Sequence, residues 1–225
     1  MTSRVQAALK QEVPWPLILS YLLCSALCAA MILYRFTLTG LTAYTWLAVP
    51  NLVLAWIPFG FAIAIRVTHR LDLRSPLLML PLGLLWLLFF PNAPYIVTDL
   101  VHLIDNWQAF SVYYDVALLV LAAFTGLGLA FSSLLMLQEL IETAWGSVAG
   151  WAFCTLTWLL TAIGIYLGRV ERWNSWDALH SPLLILADLA RALRGGEPLL
   201  IILVYSVVNM VLYVAFRSAK TYRPN

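Results

Sequence analysis

Six stretches of this chain stay apolar long enough to cross about 30 Å of hydrocarbon as helix, and that feature constrains the fold more than any other. Their expected bounds are roughly 15–34, 45–65, 77–97, 113–137, 149–168 and 199–216. No Asp, Glu, Lys, Arg or His is expected in the interior of any run; Asp115 stands at the entrance to the fourth and Arg35 follows the first. Backbone groups in lipid must pair within their own segment or in a closed barrel, so runs of this length predict an all-α, polytopic transmembrane helical bundle. Composition agrees. The chain has 225 residues, 63% of them hydrophobic and 11% charged, where a soluble domain carries roughly a quarter charged residues. A formal charge of +2 offers no basic field, which excludes nucleic acid as a partner and leaves membrane lipids as the surroundings.

Residues 15–216 are expected to form a single transmembrane domain, flanked by a segment 1–14 and a tail 217–225. The first apolar run is about twenty residues, too long for the core of a secretory signal, and lacks a clear small-residue cleavage site, so it is read as a retained span. One side of the membrane collects Arg4, Lys10, Arg66, Arg70, Arg74, Arg217, Lys220 and Arg223, and the other Arg35, Arg169, Arg172, Arg191 and Arg194. The excess favours a cytoplasmic location for both termini. Cys24, Cys28 and Cys154 all lie in apolar surroundings, an odd count that suggests packing rather than a disulfide framework or a zinc site.

Between the fifth and sixth spans, "WDALHSPLLILADLARALRGGEP" contains a shorter helical pattern. Leu183, Leu184, Leu186, Leu189, Ala190 and Leu193 favour one side, and Asp188, Arg191 and Arg194 are expected away from it. Too short to span and stopped at Gly195-Gly196, this segment is expected to lie as an amphipathic helix in the membrane interface. Gly126 and Gly128 in "AAFTGLGLAFSS" should let another element approach the fourth span closely.

The third span is interrupted. In "LLFFPNAPYIVTDLVHLID" Pro91 cannot donate to Leu87, nor Pro94 to Phe90, and each proline disfavours helical angles at the preceding residue, Phe90 or Ala93. A break near 90–94 is expected, tolerable where protein, water or a cavity satisfies the freed carbonyls. Asn92 and Tyr95 are candidate ligand-binding residues at the break. Asp99, His102 and Asp105 follow at spacings of three, which on a helix sets the imidazole beside both carboxylates and suits general acid–base work. They are the candidate catalytic residues. A locally hydrogen-bonded His102 at a solvated helix start is a plainer account, and no metal site is assigned. Pro50-Asn51 falls at the same end as Pro91-Asn92, because spans two and three run antiparallel.

After the fifth span, "GRVERWNSWD" provides Arg169 and Arg172, whose forks suit phosphate or carboxylate, and Trp173 and Trp176, indoles that prefer headgroup depth. With Asn174 and Asp177 they form the second set of candidate ligand-binding residues. The alternative is structural: an aromatic belt with the arginines paired to Asp99, Asp105 or Asp177. By alternation of six spans, this stretch and the third gap should share one membrane face. Glu139 and Glu142 belong to the opposite face.

At "FFPNAPYIVTDLVHL" and "YLGRVERWNSWD" the chain resembles a bacterial integral-membrane family catalogued as domain of unknown function 1361, from the second span to the last. The resemblance implies a multi-pass protein of the bacterial cytoplasmic (inner) membrane and carries no activity. The family pattern often reads "GRFLRWNSWD"; here Val170-Glu171 replaces the Phe-Leu pair. Three functions follow from the residues. The first is binding of a polar or anionic lipid headgroup, or of a protein partner, at the outer face of the cytoplasmic membrane. The second is an enzyme acting on a lipid or lipid-linked substrate, and the third a small transporter of a neutral solute. Ion-coupled transport is disfavoured, because ionisable residues inside spans normally mark such pathways and none is expected. No motif names a cofactor.

Overall fold

The computed structural model describes residues 2–42, 44–45, 47–103 and 111–221, so Asp105 lies outside the described residues. Every regular element among the described residues is helical. Helix α1 (Thr2–Glu12) precedes α2 (Trp15–Thr39); a π-helical turn (Leu47–Asn51) leads into α3 (Leu52–Arg70), followed by α4 (Pro76–Phe89). The third span then continues as α5 (Asn92–Tyr95) and a 3-10 segment (Ile96–Val101). Helices α6 (Val112–Trp145) and α7 (Ser147–Arg169) come next, then α8 (Asp177–His180), α9 (Pro182–Ala192) and α10 (Gly196–Thr221). Six of these segments are long and apolar enough to cross a membrane, and the all-α polytopic bundle is thereby observed.

Several helices outrun their expected bounds and take charged residues with them. Helix α2 continues to Thr39, where Gly40 closes it in the left-handed region (φ 67°) with its N–H on the Phe36 carbonyl. Arg35 is therefore inside the helix. Asp115 lies within α6, and Asp99 within the 3-10 end of the third span. The expectation of spans free of ionisable residues is corrected: charged side chains can enter a span where protein, not lipid, surrounds them.

The chain divides into two compact units, residues 1–137 and 138–225, described separately. In the first, the proline break is present in altered form. Phe90 keeps helical angles (φ −56°, ψ −40°) and so does Pro91, correcting the expectation that Phe90 is pushed out of the helical region. The chain accommodates the prolines by switching bonding pattern. The Ala93 N–H reaches the Phe90 carbonyl three residues back, at 3.2 Å, and the Asn92 side-chain amide donates to the Phe89 carbonyl at 2.8 Å. Thus Asn92 supplies to Phe89 the donor that the displaced Ala93 N–H does not.

Small residues on α6 set this unit's spacing. A Cβ on Gly126 would collide with the Ala93 carbonyl, and one on Gly128 with the Tyr21 ring. The expectation of close approach at both glycines holds. Polar pairs fix the register: Tyr21 Oη lies 3.0 Å from Ser132 Oγ, and Trp86 Nε1 donates to Ser133 Oγ at 2.6 Å. Helices in lipid gain little from apolar contact alone, so such pairs and close backbone approach decide which faces meet.

In the second unit, Ala162, Tyr166, Leu167, Ala192 and Ile202 form a buried apolar cluster drawn from α7, α9 and α10, with Trp173, Ile185 and Leu189 packed on it. Away from that cluster, Glu142 of α6 receives both Arg217 Nη1 and Nη2 of α10, at 3.0 and 2.8 Å, and Gln138 Nε2 at 3.0 Å. Gln138 in turn accepts from Tyr213, while Lys220 pairs with Glu139 at 3.1 Å. Gly150 leaves room on α7 for the Glu142 side chain. Both glutamates are committed to holding α10 against α6.

Candidate functional site

In the first unit, buried polar pairs join the end of α2 to the start of α6 and the start of α3 to the 3-10 end of the third span. Arg35 and Asp115 are buried, 0% and 1% exposed. Nε donates to Oδ1 at 2.8 Å and Nη2 to Oδ2 at 3.1 Å, the fork geometry that matches a planar guanidinium to a carboxylate. The Tyr44 ring lies 4.8 Å from the Arg35 guanidinium carbon, within cation–π range. Tyr44 itself adopts φ 70°, a conformation that costs a non-glycine residue about 1–2 kcal/mol. Within the first turn of α6, the Tyr114 hydroxyl donates to the Met31 carbonyl at 2.8 Å.

Asp99 is fully buried and accepts from Asn51 Nδ2 at 2.9 Å. This bond joins the Pro50-Asn51 π turn to the 3-10 segment, so the two proline-disturbed stretches meet through side chains as well as sharing an end. His102 is partly exposed, and its backbone N–H reaches the carbonyls of Asp99 and Leu100. Tyr95 is half-buried and its carbonyl accepts from the Thr98 hydroxyl at 2.6 Å. Asn92, Tyr95, Asp99 and His102 thus occupy one helix-breaking stretch. Asn51, absent from the sequence-derived sites, joins that stretch through Asp99, and Arg35, Tyr44 and Asp115, likewise absent from them, form a separate buried group. The signal for Arg35 was Gly40: a left-handed terminator five residues on implies a helix that contains the arginine.

In the second unit, the candidate residues follow the end of α7. Arg169 is the last residue of that helix and half-buried, while Arg172 is exposed and left-handed, φ 63°. The turn is secured on both sides of Arg172: the Trp173 N–H bonds the Leu167 carbonyl at 3.0 Å, and the Tyr166 hydroxyl donates to Glu171 at 3.3 Å. That last bond gives position 171 a polar role, consistent with the departure from the Phe-Leu pattern. Asn174 is exposed, and Asp177 accepts from its backbone N–H at 2.7 Å and its side-chain amide at 3.2 Å, closing the turn that starts α8. Trp176 is 46% exposed. Trp173 differs: its ring is packed on the apolar cluster and its Nε1 donates to Asp188 at 2.9 Å.

Helix α9 turns most of its leucines outward. Leu183, Leu184 and Leu186 are 78%, 60% and 59% exposed, whereas Asp188, only 19% exposed, turns inward to Trp173. The inward side is Ile185, Asp188, Leu189 and Ala192. Of the residues expected on the leucine side, Leu189 instead turns inward with Asp188. Arg191 and Arg194 are exposed as well.

Among the described residues, no group of three His, Cys, Asp or Glu side chains is placed to hold a metal ion. Comparison with known proteins gives one family model, described as a protein of unknown function (DUF1361), which matches residues 50–211. Neither a curated protein nor a solved structure matches the chain.

Proposed function

The chain belongs to the DUF1361 family, and on that premise we propose that it binds the headgroup of an anionic lipid at the outer face of the bacterial cytoplasmic membrane, through residues 169–194 of its second unit. One observation carries the reading. A helix too short to span exposes leucines together with Arg191, and the segments leading into and out of it expose Arg172 and Arg194. Exposed leucines are costly in water and favourable among acyl chains, at about 25 cal/mol per Å² of apolar surface. Cations on the same segment then stand at phosphate depth, as in other helices that lie in the interface.

Each candidate residue has a part in this reading. Arg172 offers its fork to the phosphate, Arg169 adds positive potential from the end of α7, and Trp176 sits at headgroup level. Asn174 and Asp177 fix the turn between them, and Trp173 anchors it to the helices beneath. Asn92, Tyr95, Asp99 and His102 belong to the first unit and are not needed for headgroup capture.

The test is lipid retention. Purified protein should carry anionic lipid from mixed membranes, and Arg172→Gln should weaken that association about ten- to a hundredfold, the loss of one charge-assisted hydrogen-bonding group. Equal retention by the variant defeats the headgroup reading.

A further inference from the structure

We propose that Asp188 is a positioning residue for this headgroup site, an inference that rests on the reading above and extends it to a residue whose side chain faces away from the lipid. Asp188 turns inward, and its two oxygens are divided: Oδ2 accepts from Trp173 Nε1 at 2.9 Å, and Oδ1 lies 3.0 Å from Arg191 Nη2.

The bond to Trp173 ties α9 to the turn that carries Arg172. Trp173 is the next residue after Arg172, its ring is packed against the α7–α9–α10 cluster, and its N–H is bonded to the Leu167 carbonyl. Those contacts hold the segment that keeps Arg172 left-handed. Such a conformation persists only when surrounding structure over-determines it. From the same indole, Asp188 sets the rotation of α9 about its axis. Rotation by about 100° per residue separates successive positions, so an inward 188 leaves 183 and 186 outward, as observed. One hydrogen bond therefore fixes two things: the backbone that aims Arg172, and the leucine face that seats the segment in lipid.

The Arg191 contact is not required for this role. Arg191 is 73% exposed, and exposed ion pairs contribute little. The essential feature is an acceptor at 188 for the indole N–H, which an amide oxygen provides as well as a carboxylate does.

Native mass spectrometry of the full chain, released from nanodiscs of mixed phosphatidylglycerol and phosphatidylcholine, tests the inference. Asp188→Ala should lower the preference for phosphatidylglycerol about tenfold, as for loss of one hydrogen bond near the site, while phosphatidylcholine retention stays unchanged. Trp173→Phe keeps the ring and removes the donor, so it should match Asp188→Ala; it also decides the question if the alanine variant fails to insert. Asp188→Asn should keep the wild-type preference. Wild-type preference in both Asp188→Ala and Trp173→Phe overturns the positioning role, as does an Asp188→Asn variant no better than alanine. A parallel fall for both lipids overturns it too, because that marks general destabilisation. If Arg172→Gln keeps its preference, the headgroup reading itself fails; if only that variant loses it, headgroup binding stands and the role of Asp188 falls.

Discussion

Replacing Asp115 with alanine removes the bidentate acceptor of a guanidinium that water does not reach. Arg35 and Asp115 are 0% and 1% exposed, with N–O separations of 2.8 and 3.1 Å. Charge centres about 4 Å apart at an effective dielectric near 20 attract by about 4 kcal/mol. Losing one partner of a buried pair typically costs about 3–5 kcal/mol, since desolvation of the remaining charge is no longer offset by its partner. Arg35→Met should cost a similar amount, and Arg35→Lys most of it, because an ammonium cannot form the planar fork and sits less well over Tyr44. Arg35→Met with Asp115→Leu should recover most of the loss, because apolar replacement of both members removes both desolvation costs. The assay is a double-mutant cycle on reversible unfolding in bicelles, with a coupling energy of at least about 2 kcal/mol expected. Single variants within about 1 kcal/mol of wild type, or additive effects in the double variant, would refute a buried, directly coupled pair.

Two further perturbations test the packing of each unit. Gly126→Ala places a methyl group on the Ala93 carbonyl; overpacking of this kind should cost about 1–3 kcal/mol in the same unfolding assay, and a neutral result would mean that the proline break does not rest on α6. Arg217→Glu should sharply reduce the amount of folded protein in detergent, as measured by fluorescence-detected gel filtration, because it opposes Glu142 with a like charge where a bidentate pair stood. Adding Glu142→Arg should restore a substantial part of that yield; no restoration would argue against direct pairing.

Elements dictated by the solvent were legible in the sequence: the six spans, the disturbed third span, and the close approach at Gly126 and Gly128. What local pattern misjudged were residues whose role depends on partners distant in the chain. Arg35 reads as a loop residue when hydropathy ends a helix at the first charge, and it takes Asp115, eighty residues on, to make a buried arginine tolerable. Phe90 kept helical angles because the residues around it changed hydrogen-bond pattern instead of unwinding. Asp188 was placed away from the exposed leucines, but its inward partner, the Trp173 indole fifteen residues earlier, was not legible. Asp99 and His102 were found as a spacing, but the donor to Asp99 is Asn51, from the preceding span. Its own signal was the Pro-Asn pair shared with Pro91-Asn92.

The exposed cations of 169–194 carry the functional account, so the most direct measurement compares headgroups on wild type and Arg172→Gln in bilayers of equal acyl composition. Wild type should retain phosphatidylglycerol in preference to phosphatidylcholine, with the preference collapsing in the variant while the protein stays folded. An unchanged ratio, or a wild type indifferent to headgroup charge, would contradict the account.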